Sequence, residues 1–113
     1  MKIFDSKAQS LIDFVPITAG KAGVYVCGPT VQSAPHVGHL RSAVAFDIVA
    51  RWLRIGHGLE VNLVRNVTDI DDKILANATE QNRDWRELAI EVEAHFNTVY
   101  DSLWAGVTNR QIG

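Results

Sequence analysis

The chain has 113 residues, with 11 Lys plus Arg against 13 Asp plus Glu, a formal net charge of −2. That balance excludes a free-standing basic nucleic-acid binder, which would present a dominant positive field. Apolar residues make up 47%, with four Phe, three Trp and two Tyr, so a modest core can form and disorder is excluded as the global state.

The length is one domain's worth of chain, or a piece of something larger. No apolar stretch approaches the roughly 18 residues that span a bilayer. Residues 1–6 lack the apolar segment of a signal peptide, so no membrane is expected as a partner. A single cysteine, Cys27, excludes an internal disulfide framework and fits a reducing, cytoplasmic setting.

Residues 1–20 read as a short, irregular β opening. The apolar residues Ile3, Phe4, Phe14, Val15 and Ile17 are broken up by polar residues and Pro16, and a turn signal follows at Thr18-Ala19-Gly20-Lys21. Residues 23–27 are a run of β-formers that stops at Gly28-Pro29-Thr30, as a buried strand does on meeting a loop. From about Gly38, apolar residues recur at spacings of three and four: Leu40, Val44, Ile48, Trp52 and Ile55. They predict a helix, stopped by Gly56-His57-Gly58 because glycine takes the left-handed cap conformation cheaply. Residues 59–67 alternate through Val61, Leu63 and Val64 and predict a second strand.

Strand, crossover helix and strand in this length make a βαβ unit with parallel strands. A helix is expected over residues 70–80, with Thr68-x-x-Asp71 or Asp69-x-x-Asp72 as its capping box. Another is expected over residues 84–103, with Trp85, Leu88, Val92, Phe96, Val99 and Leu103 on one stripe. Residues 104–113 show no periodicity. The expected fold class is α/β.

The chemistry concentrates in Cys27-Gly28-Pro29-Thr30-Val31-Gln32-Ser33-Ala34-Pro35-His36-Val37-Gly38-His39. This segment lies between the carboxyl end of a strand and the amino end of the crossover helix, where open parallel sheets bind ligands and helix N–H groups attract anions. His36 and His39 are three residues apart and can share one side of the first turn. Two imidazoles there can donate to a phosphate whose charge grows in a transition state. The plain alternative is a polar helix start with two solvated histidines. Gly38 would let a flat base approach the backbone.

Cys27 reads either as a small buried hydrophobe or as a soft thiolate ligand for zinc. Asp69, Asp71 and Asp72 could hold a divalent ion or a substrate amine, or could simply cap a helix. His57 and His95 read as a turn residue and a helix-surface residue. Arg41, Arg51 and Arg54 read as a solvated face.

Together these segments resemble the amino-terminal part of the cysteinyl-tRNA synthetases, which are class I aminoacyl-tRNA synthetases. The stretches that carry the resemblance are Val24-Tyr25-Val26-Cys27-Gly28-Pro29-Thr30-Val31-Gln32, His36-Val37-Gly38-His39-Leu40-Arg41-Ser42, Ala45-Phe46-Asp47 and residues 65–74. C-G-P-T, H-V-G-H and N-V-T-D-I-D-D-K in that order are far more specific than any one alone. Gln32-Ser33-Ala34-Pro35 resembles the actinobacterial branch.

The resemblance implies the amino-terminal half of a Rossmann-like (HUP-type) catalytic domain over residues 1–103, followed by a divergent tail over residues 104–113. It implies ATP-dependent activation of L-cysteine to cysteinyl-AMP, assisted by magnesium, and transfer to the cognate tRNA. It places His36 and His39 on the signature that stabilises the ATP phosphate. Gly28, Thr30, Gly38, Ser42, Asn66 and Thr68 fall near the nucleotide or aminoacyl-adenylate, and Cys27 falls on a zinc ligand that recognises the substrate thiol. Zinc would prefer that thiolate to the harder hydroxyl of serine.

The family's other zinc ligands and its lysine-rich K-M-S-K-S-type loop have no counterpart here. The four lysines, Lys2, Lys7, Lys21 and Lys73, form no such pattern. Two rival readings follow. One is the related ligase that gives cysteine to an amino sugar in mycothiol synthesis. The other is a non-catalytic module that binds nucleotide or zinc.

Overall fold

A computed structural model describes residues 1–103 of the chain; the expected divergent tail lies outside them. The first two strands, β1 (Lys2–Asp5) and β2 (Ser10–Asp13), form an antiparallel hairpin with Lys2 opposite Asp13 and Asp5 opposite Ser10. Its turn closes where the Ala8 N–H donates to Asp5 Oδ1 at 2.6 Å and Gln9 takes a left-handed φ of 51°. The irregular β opening is therefore a regular hairpin.

The next strand, β3 (Lys21–Val26), pairs in parallel with β4 (Glu60–Arg65), from Lys21 opposite Glu60 to Val26 opposite Arg65. The expected βαβ unit is present, with β3 starting two residues early. Gly20, at φ 76°, turns the chain into the strand, and its carbonyl accepts the Glu60 N–H at 2.9 Å.

The crossover helix α1 (Val37–Arg51) does not stop as a plain α-helix. It widens into a π-helical turn at Trp52–Gly56. Gly58, at φ 64°, supplies the expected left-handed stop, and its N–H donates to the Arg54 carbonyl at 3.0 Å. Arg51 and Arg54 are not merely solvated. The Arg51 Nε donates to buried Asp47 Oδ2 at 2.6 Å, and the Arg54 Nη2 donates to the Val61 carbonyl at 3.0 Å, tying the helix end to β4.

The helix α2 (Asp72–Glu80) begins later than expected. Its cap is Asp71, whose side chain accepts the Lys73 N–H at 2.9 Å. Thr68 is engaged elsewhere, in a bridge to Thr30, and the cap falls on Asp71 rather than Asp69, so neither proposed capping box forms. The last helix, α3 (Trp85–Leu103), starts under Asp84, whose Oδ1 accepts the Arg86 N–H at 2.8 Å.

Two apolar clusters result. Ala22, Val26, Ala50, Leu53, Val61 and Leu63 fill the βαβ unit. Val31, Ile74, Ala78, Leu88, Ala89, Val92 and Phe96 join the loop after β3 to α2 and α3. Val31 and Ile74 are fully buried, so a loop residue is as deep as any in the helices. Among the described residues no helix is long and apolar enough to cross a membrane.

Truncating Ile74 to alanine should lower unfolding free energy by about 2–5 kcal/mol, the range for buried large-to-small changes. Ile55, which is 84% exposed, should tolerate Ile55→Thr within about 0.5 kcal/mol. Urea unfolding of both variants checks the contrast.

Candidate functional site

The site is built at the carboxyl ends of β3 and β4, where the ladder continues through non-strand contacts. The Gly28 N–H donates to Asn66 Oδ1 at 2.7 Å. Next, the Thr68 N–H donates to the Pro29 carbonyl at 3.0 Å, and the Val31 N–H donates to the Thr68 carbonyl at 3.1 Å. Further on, Asn77 Nδ2 donates to the Gln32 carbonyl at 2.8 Å. The loop is thus fastened to the exit of β4, to the apolar cluster through Val31, and to α2.

Glycine is required at position 28 by close approach. A Cβ there would fall 1.5 Å from the Asn66 carbonyl oxygen, and neither backbone can give way cheaply.

The two histidines form the amino cap of α1. His36, in extended backbone, is the cap residue; its Nδ1 accepts the Gly38 N–H at 3.1 Å. In return, His39 Nδ1 accepts the His36 N–H at 3.2 Å. This is a reciprocal capping box with imidazoles in place of hydroxyl and carboxylate. An Nδ1 that accepts cannot carry the proton, so each neutral ring is the Nε2–H tautomer. The rings lie 3.9 Å apart between centroids, tilted by 38°. At Gly38 a Cβ would meet the His36 ring at 2.9 Å, so glycine here leaves room for the cap.

His39 is half-buried and stands edge-on to Phe96 at 4.9 Å. Its pKa is lowered from the ordinary 6.5, first by burial and second by the neighbouring His36. Two Nε2–H donors at a helix amino terminus, in the field of the helix dipole, make a place for an anion. Ser42 lies exposed one turn further along α1.

Cys27 is exposed rather than buried, which removes its reading as a packed small hydrophobe. Its thiol meets the Gly28 carbonyl at 3.9 Å. As an exposed soft donor it suits zinc as one ligand. Among the described residues no three His, Cys, Asp or Glu side chains come together to hold a metal ion. Cys27, His36 and His39 therefore do not form a shared site. Among the described residues Asp69, Asp71 and Asp72 form no such group either, and Asp71 caps α2.

Of the other flagged residues, Arg41 and His95 are exposed, and His57 stands edge-on to Trp52 at 4.6 Å. Pattern reasoning missed Asn77 and the contact of Phe96 with His39. No local signal marks either, because both depend on tertiary packing.

Compared with solved structures, the chain superimposes on methionyl-tRNA synthetase of Mycobacterium tuberculosis, solved bound by methionyl-adenylate, with a TM-score of 0.69. The identity is 22%, over 80% of this chain and 18% of that one, which shows the class I synthetase fold. Residues 13–110 match the model of the tRNA synthetase class I (C) catalytic domain, and the chain belongs to that family. Three similar curated proteins carry the name cysteine–tRNA ligase. The one from Clavibacter michiganensis is 54% identical, over 91% of this chain and 22% of that protein. The one from Streptomyces griseus is 50% identical over the same shares. The one from Renibacterium salmoninarum is 49% identical, over 96% of this chain and 21% of that protein. The chain thus spans about a fifth of the length of these relatives.

Gly28→Ala should lower stability by at least about 2 kcal/mol through the backbone clash, well beyond a surface glycine change. Gly23→Ala, where a Cβ meets nothing within 4 Å, is the matched control in thermal unfolding.

A pH effect follows from His39. Its folded-state pKa is lowered, so it stabilises the fold above about pH 6.5 and loses that contribution as pH falls through the folded value. The urea midpoint of the wild type should drop between about pH 7.5 and about pH 5 more than that of His39→Gln, which cannot titrate.

Proposed function

We propose that residues 1–103 form part of the catalytic domain of a cysteine–tRNA ligase, which couples ATP cleavage to activation of L-cysteine and then charges the cognate tRNA. The observation that carries this reading is the imidazole capping box. It fixes two Nε2–H donors side by side at a helix amino terminus. The family and the names of the relatives support cysteine and tRNA as the substrates. A cytoplasmic setting goes with that role.

In the first half-reaction a carboxylate oxygen of cysteine attacks the α-phosphorus of ATP. The new O–P bond forms as the bond to the bridging oxygen breaks, releasing pyrophosphate and leaving cysteinyl-AMP. His36 and His39 donate to the non-bridging phosphate oxygens, where charge grows most. The lowered pKa of His39 fits the task, since a neutral Nε2–H donates without having to ionise.

Gly38, whose missing side chain makes room for the His36 ring, keeps the cap slim where the adenine would pack. Gly28 and Asn66 are spent on each other through the N–H and Oδ1, so Asn66 Nδ2 is the remaining donor toward the adenylate. Thr30 and Thr68, locked side by side, offer hydroxyls to the same intermediate, and Ser42 offers one from α1. Cys27 is the proposed zinc ligand in this chain, with the other ligands supplied by sequence beyond this fifth of the relatives. Bound zinc would hold the substrate as a thiolate, and magnesium would neutralise ATP. In the second half-reaction the terminal ribose hydroxyl of tRNA displaces AMP from the cysteinyl carbonyl.

The test replaces the matching amino-terminal fifth of the Streptomyces griseus ligase with this chain. The chimera should catalyse cysteine-dependent ATP–pyrophosphate exchange and charge tRNA. His39→Ala should reduce exchange by about 10²–10³-fold, as loss of one transition-state donor does. Full activity in the His36→Ala/His39→Ala double variant, or transfer of cysteine to an amino sugar in place of tRNA, sinks the reading. The 113-residue chain by itself should show no exchange.

A further inference from the structure

The helix α3 has a part in the site that its apolar stripe assigns to the core alone. Phe96 is 1% exposed and packs with Val31, Ile74 and Val92. Its ring also meets His39, 4.9 Å between centroids and nearly perpendicular at 82°. It meets Tyr100 as well, at 5.8 Å and 55°, and the Arg65 guanidinium lies 5.1 Å from the Tyr100 ring centroid. A row of Arg65, Tyr100, Phe96, His39 and His36 thus links the end of β4 to the cap of α1.

Within the cap, His39 is held by a 3.2 Å hydrogen bond to Nδ1 and lies 3.9 Å from the exposed His36 ring. One hydrogen bond and one exposed neighbour leave the imidazole some freedom to rock. An aromatic ring held edge-on by a packed core takes that freedom away. Phe96 has no proton or charge to offer, so whatever it does for chemistry it does through His39.

We propose that Phe96 is a positioning residue that sets the plane of the His39 ring and so aims its Nε2–H at the anion. The proposal rests on His36 and His39 acting as phosphate donors. The groups facing His39 are consistent with a neutral ring. From its own turn comes His36; from α3 come uncharged Phe96 and, beyond it, Tyr100, over which Arg65 reaches from β4.

The test uses the whole 113-residue chain with isotopically labelled imidazoles, read by long-range nitrogen–proton correlation spectra across a pH titration. Phe96→Leu and Phe96→Met keep an apolar core side chain without a ring. Ile74→Val trims the same apolar cluster at another fully buried residue. Wild type should show one Nε2–H tautomer at His39. In both Phe96 variants that signature should give way to mixed tautomers, with the proton bound about threefold or more tightly as water reaches the ring. In Ile74→Val both should stay as in wild type. Equal changes in the Phe96 and Ile74 variants would mean that Phe96 serves only the core, and would overturn the proposal. An unchanged His39 in folded Phe96→Leu or Phe96→Met would overturn it too. The spectra need no ATP, so a failed exchange assay in the chimera strikes the phosphate reading and leaves this result standing on its own.

Discussion

The hydrogen bond between the Gly28 N–H and Asn66 Oδ1 is the constraint from which the rest of the site follows. Strands end where their ladder ends, and two parallel strands would ordinarily diverge past Val26 and Arg65. Here a side chain stands in for the missing rung, and the Thr30–Thr68 bridge adds another. The two strand ends therefore leave the sheet as one unit. That fixes where Cys27 is presented and where the loop must land before α1 begins. The absence of a side chain at Gly28 is what allows the backbones to come so close.

From that stitch, the loop gains a second fixed point at its far end. Val31 is buried among α2 and α3, Gln32 is held by Asn77, and His36 closes the amino end of α1. The same imidazoles that cap the helix are the ones with outward donors. In the proposed site the two nitrogens of each ring divide the work: Nδ1 satisfies the backbone, and Nε2 is left to donate. An aspartate cap would satisfy the helix as well but would leave an acceptor, not a donor, toward an incoming anion.

Much of this was legible from residue order. The parallel βαβ unit followed from two β-rich runs separated by a helix-length crossover, and the pairing of β3 with β4 bears it out. The family resemblance rested on motifs in fixed order and is matched by the family itself. What could not be read locally was set by tertiary competition. Thr68 looks like a helix cap, but its backbone and neighbours are claimed by the loop across the sheet, so capping moves to Asp71. Cys27 looks like a core residue by type, yet it sits one step beyond the last paired strand position and is exposed. The helix after Arg51 widens into a π turn where Arg54 binds β4 and Gly56 lies against Trp52, contacts that periodicity does not encode.

The two apolar clusters do not share a residue. One is the βαβ unit; the other is the loop with α2 and α3. The contacts that run between them include the Val31–Thr68 backbone bond, the ring contact between His39 and Phe96, and Arg65 over Tyr100. Two separate cores favour two cooperative units, and openings that part them would cost less than global unfolding. The contact of His39 with Phe96 puts the histidines where the two units meet. Breathing between the units, which leaves each core intact, would open and close the proposed anion site itself.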